Sequence, residues 1–95
     1  MKTIILDLTG CKSLWDIHER IRIAFDFPDW YGKNWSAFWD LLRSECDAEK
    51  VIIRGEKSLS SEFAEHLQIM HGILERNIAW CKECNFEPFS YEIEN

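Results

Sequence analysis

Three short apolar runs separated by helical patterning restrict the folds open to this chain. Residues 3–8 (TIILDL), 51–54 (VIIR) and 89–93 (FSYEI) each have the length of a strand, the first closed by Thr9-Gly10 and the second by Gly55. Between the first two, Leu14, Ile17, Ile21 and Phe25 recur at helical spacing behind a candidate N-cap at Ser13, with Asp16 in the first turn. That helix is predicted to end before Pro28. A second helix is predicted over residues 35–44 behind the N-cap candidate Asn34. A long third one opens at Ser58 to Ser61 and runs through Phe63, Leu67, Met70, Leu74 and Ile78. Parallel strands need crossover connections, and helices supply them. The expected class is therefore α/β, a small three-stranded parallel sheet packed with three to four helices. The unbroken apolar character of the first run predicts a strand buried on both faces.

At 95 residues the chain is expected to form one domain, residues 1–95, with a single core. The 17 acidic against 11 basic residues leave a formal net charge of -6. Such a field repels phosphates and favours basic partners, so direct nucleic-acid binding is not expected. Solubility alone also accounts for an acidic balance. The first ten residues hold one Lys and an apolar run broken by Asp7, which makes neither a signal peptide nor a membrane span. Cys11, Cys46, Cys81 and Cys84 are expected as reduced thiols in the cytoplasm.

The stretch FPDWYGKNWSAFWDLL, residues 27–42, holds six aromatic side chains around a Pro, a Gly and an Asn. Starting the second helix at Trp35, a turn of about 100° per residue puts Trp35, Phe38, Leu41 and Leu42 on one side and Ser36, Asp40 and Arg43 on the other. Trp39 falls on the boundary, where it either covers the edge of the core or helps to display Asp40. Asp40 is either offered to a partner or paired with Arg43 three residues on. In the preceding loop, Trp30-Tyr31-Gly32 combines aromatic area suited to an interface with a glycine that permits positive φ or close approach by another molecule. The bland alternative is a loop folded onto its own domain.

The order Pro28, Asp29, Trp30-Tyr31, Gly32, Asn34, Ala37 and Trp39-Asp40 resembles the signature of the barstar-related family, intracellular inhibitors of secreted ribonucleases. The likeness is strongest over residues 27–42 and extends through length and strand-helix order to the whole chain. It implies that the loop and second helix plug the active site of a basic, barnase-like ribonuclease, with Asp40 in place of a substrate phosphate. The expected contact residues are Trp30, Tyr31, Gly32, Asn34, Ser36, Trp39, Asp40 and Arg43, with Trp35 and Phe38 turned inward. A carboxylate on a rigid helix suits a cluster of Arg, Lys and His. Two departures lower the local negative charge: Ser36 and Lys33 stand where family members carry acidic residues. Lys33 is expected to face an acidic group on a target. The family's carboxylate on the long helix has no clear counterpart near His71 or Glu75. The free protein is expected to be monomeric, without membrane attachment, and the alternative function is a non-inhibitory adaptor using the same aromatic surface.

No catalytic set, cofactor site or metal site is expected. His66 and His71 lie about 140° apart around a helix and share no face. His18 is expected in a solvated position beside Glu19. The lone Cys81-Lys82-Glu83-Cys84 lies near the predicted end of the long helix, where the dipole opposes thiolate formation.

Overall fold

A computed structural model describes residues 2–94, the Glu45 side chain apart. Strand β1 (Thr3–Asp7) leads through helices α1 (Leu14–Ala24) and α2 (Trp35–Glu45) to β2 (Lys50–Arg54). Two short 3-10 turns, Glu56–Ser58 and Ser61–Phe63, then lead into the long helix α3 (Ala64–Glu83), and β3 (Ser90–Glu94) follows. The sheet is parallel throughout in the order β1-β2-β3, with Ile4 opposite Val51 and Val51 opposite Tyr91. The α/β class with three parallel strands and three α-helices is as the sequence predicts.

The caps lie where side-chain chemistry puts them. Ser13 Oγ accepts from the Asp16 amide at 3.1 Å, and Asn34 Oδ1 accepts from the Ala37 amide at 2.8 Å. Each satisfies a donor that the first helical turn leaves without a backbone partner. After β2, Gly55 takes φ +83°, and a Cβ there would sit 2.4 Å from Thr9 Oγ1. The chain leaving β1 and the chain leaving β2 can approach this closely only because that side chain is missing.

The prediction that β1 is buried on both faces needs correcting. Ile4 and Leu6 are buried, whereas Thr3, Ile5 and Asp7 alternate with them on an open face, Ile5 with 47% exposure. The helices cover the Ile4, Leu6, Val51 and Ile53 side, where Ile17, Ile21, Phe38, Leu42, Met70 and Leu74 meet the sheet. Ile5 instead stands in register with Ile52 on the other side, beside the ion pairs Lys50–Glu92 and Arg54–Glu94. An apolar residue spent on the open face makes a one-sided strand look two-sided in sequence.

Candidate functional site

The loop between α1 and α2 is tied to α1 at alternate residues. Asp29 Oδ1 accepts from Arg22 Nη1 at 3.2 Å, the Tyr31 hydroxyl hydrogen-bonds His18 Nδ1 at 2.7 Å, and Lys33 Nζ lies 3.4 Å from Glu19 Oε2. Glu19 also accepts from Arg22 Nη2 at 2.6 Å, and these cations hold its carboxyl below the usual carboxylate range, the Arg22 hydrogen bond most strongly. The residues that alternate with the ties, Trp30, Gly32 and Asn34, are exposed, Trp30 with 73% of its surface.

Three expectations change with this arrangement. Tyr31, expected to face a partner, is only 3% exposed, and its ring lies 5.4 Å from that of Phe27. Burial raises its phenol pKa, so the hydroxyl serves His18 as a neutral group. His18, expected in solvent, is 1% exposed, with its ring 4.4 Å from Trp35. Burial first, and then His66 and Lys33, lower its pKa from 6.5 to about 4. Lys33 turns to Glu19 and to the Trp15 ring, 5.5 Å away, rather than outward.

Of the two roles expected for Gly32, positive φ is not the one the structure uses. The positive φ in this turn belongs to Lys33, at 50°, and not to Gly32. A Cβ on Gly32 would lie 3.3 Å from Asn34 Nδ2 and 3.4 Å from the Ala37 Cβ. Its bare Cα leaves room for the capping amide, which donates back to the Gly32 carbonyl at 3.2 Å. The loop therefore runs directly into the start of α2.

Helix α2 presents two faces. Phe38 is fully buried against the rings of Phe25, Phe27 and Trp35, with Leu41 and Leu42 buried beside it. Trp35 is half-buried, and its Nε1 donates to His66 Nδ1 of α3 at 3.2 Å. Ser36, Asp40 and Arg43 are exposed on the outer side, where Arg43 Nη2 donates to Asp40 Oδ1 at 2.9 Å. A surface pair of this kind contributes about 0.3–0.5 kcal/mol and is readily given up for a better partner.

Trp39 covers the edge of the core, the first of its two expected roles. It is half-buried against the core, and it lies beside Asp40 in a groove completed by Ile69, Ile73 and Arg76 of α3. The guanidinium of Arg43 is 4.9 Å and that of Arg76 4.5 Å from the Trp39 ring centre. Arg76 was not foreseen from the sequence, because only the packing of α3 against α2 brings it here. His71 binds Glu56 at 2.6 Å, and Glu75 raises the pKa of Tyr91 after burial; neither residue lines the groove.

A family model described as "Barstar (barnase inhibitor)" matches residues 1–93. The chain belongs to the barstar family. A Bacillus subtilis (strain 168) protein named "Putative ribonuclease inhibitor YrdF" is 30% identical over 63 residues, which cover 66% of this chain and 69% of that relative. Barstar-family proteins are inhibitors and not enzymes, and the family implies a ribonuclease as protein partner. The sequence signature that carried the resemblance maps onto the tied loop and the outer face of α2. Among the described residues no group of His, Cys, Asp and Glu is gathered to hold a metal, and no helix is long and apolar enough to cross a membrane. Cys81 is half-buried near the end of α3 and Cys84 caps it; burial raises the Cys81 thiol pKa.

Proposed function

We propose that this barstar-family chain inhibits a basic secreted ribonuclease of the barnase type by seating the 28–34 loop and the outer face of α2 in its active site. Asp40 takes the position of a substrate phosphate there. The observation that carries this reading is the setting of Asp40: an exposed carboxylate on a helix fixed by the Asn34 cap and by buried Phe38, with Trp39 beside it. Trp30, Gly32, Asn34, Ser36, Trp39, Asp40 and Arg43 supply the contact surface. Tyr31 supports it from beneath.

Arg, Lys or His groups that hold RNA phosphate in the ribonuclease can hydrogen-bond a carboxylate in the same place, and charge-assisted bonds are the stronger class. The net charge of -6 favours encounter with a basic partner. Inhibition is then steric and electrostatic, exerted by one domain in the cytoplasm without cofactor or covalent step. The test is inhibition of a panel of small secreted bacterial ribonucleases, barnase included, by the chain and by Asp40→Ala. Potent inhibition that the variant loses by at least about tenfold, with its melting temperature unchanged, is the expected result. Binding to a protein partner with no effect on ribonuclease activity would instead favour an adaptor.

A further inference from the structure

The groove beside Asp40 is not acidic, although the chain as a whole is. Asp40 brings one negative charge, and Arg43 and Arg76 bring two positive ones to the same Trp39 ring. Arg43 has a carboxylate, Asp40 itself. Among the described residues Arg76 is in no ion pair, and its guanidinium lies over the ring of Trp39.

Docking sharpens this imbalance. When Asp40 turns its oxygens to the cations of a phosphate site, it shares or gives up Arg43. Two guanidinium groups then face a cleft that is itself basic. Like charges about 6 Å apart in a partly shielded interface weaken binding by about a hundredfold. A partner that is basic throughout would therefore bind this surface about a hundredfold more weakly than one that offers Arg76 a carboxylate.

We propose that Arg76 is a specificity-determining residue that meets a carboxylate on the ribonuclease, so that the target is one whose phosphate-binding cations are bordered by an acidic side chain. The inference rests on the inhibitor reading above. The two recognition points are then of opposite sign: Asp40 meets the phosphate-site cations, and Arg76 meets the neighbouring carboxylate across the Trp39 ring. Ile69, exposed on the same groove, supplies apolar contact beside them. General acid-base cleavage of RNA gives such a carboxylate a reason to be there, since one can serve as the base that takes the 2′-hydroxyl proton. Ribonucleases whose clefts carry only cations and histidines fall outside the expected target class.

The experiment measures inhibition constants over the ribonuclease panel for the parent chain, Asp40→Ala, Arg76→Lys, Arg76→Gln and Arg76→Glu, with melting temperatures for each. For every ribonuclease that the parent inhibits, Arg76→Gln should weaken inhibition by about tenfold and Arg76→Glu by about a hundredfold, while Arg76→Lys restores most of it. Amide substitutions of the acidic residues around the ribonuclease cleft should reveal one after which Arg76→Gln no longer matters, the signature of a direct pair in a double-mutant cycle. A packing role against Trp39 gives no such coupling and no difference between Gln and Glu. Equal or tighter inhibition by Arg76→Glu overturns the proposal; if Asp40→Ala still loses inhibition, the inhibitor reading stands without it. Failure of the parent to inhibit any member removes both.

Discussion

Acid is expected to weaken the fold through His18, by an amount the buried site sets. Its pKa falls from 6.5 to about 4, chiefly because burial penalises the charged ring, with smaller contributions from His66 on α3 and Lys33 in the loop. The other groups against it are the neutral Tyr31 hydroxyl and the Trp35 ring, and Nε2 has no protein partner among the described residues. Above pH 6.5 the imidazole is neutral in both folded and unfolded chains, and it adds no pH dependence. Between about 6.5 and 4 the unfolded chain binds a proton that the folded chain refuses. Stability then falls as the pH is lowered, by up to about 1.4 kcal/mol per unit and roughly 3 kcal/mol in all, and levels off below about 4. Urea unfolding followed by tryptophan fluorescence from about pH 7.5 to about pH 4 should show this loss in the parent chain. His18→Asn keeps an amide within reach of the Tyr31 hydroxyl but does not titrate, so its stability should fall by about 3 kcal/mol less over the same range. Asp7, Glu19 and Asp47, all with lowered pKa values, also lose stability in acid, but they do so in both proteins and cancel in the difference. Parallel pH profiles for parent and variant would refute the reasoning.

Three further outcomes follow from packing and geometry. Phe38→Ala should cost about 3–5 kcal/mol in urea unfolding, because a fully buried ring among Phe25, Phe27 and Trp35 is removed; a loss under about 1 kcal/mol would show the face assignment to be wrong. Gly55→Ala should lower the melting temperature, with a cost of about 1–3 kcal/mol, since the new Cβ is strained at φ +83° and collides with the Thr9 backbone; a neutral or stabilised variant would contradict that. Glu19→Gln should leave the melting temperature nearly unchanged and speed amide hydrogen exchange at Tyr31 and Lys33, since it loosens two cations at a partly exposed site; unchanged exchange would mean that the Glu19 tie does not hold the loop.

Much of the fold is written in local signals. Ser13 and Asn34 cap helices because their side-chain oxygens can reach the amide three residues on, and α2 divides into buried and exposed faces by period alone. His18 also has a readable signal: it lies four residues after Leu14 and three before Ile21, inside the apolar stripe of α1, although its neighbour Glu19 suggests solvent. Position on the stripe decided its burial. The choice between Trp30 and Tyr31 had no such signal, since adjacent aromatics in a loop differ only in what lies behind them, and what lies behind Tyr31 is His18. Arg76 was further out of reach. Its place beside Asp40 depends on how α3 packs on α2, which no pattern within α3 encodes.

The alternation along the loop ties the fold to the proposed activity. Ordering a flexible backbone on binding costs about 1–2 kcal/mol per residue, so a loop that forms only in the complex spends much of what its contacts contribute. Here Tyr31 and Lys33 are already held by His18 and Glu19, and Trp30 and Gly32 beside them are exposed before any partner arrives. Helix α1 adds none of the proposed contacts, yet it sets the conformation of the residues that do. The departure at Lys33 then has a physical reading. A carboxylate at that position would face Glu19 and repel it, whereas a lysine closes the tie, so the local charge lost from the surface is exchanged for a loop that is ordered in advance.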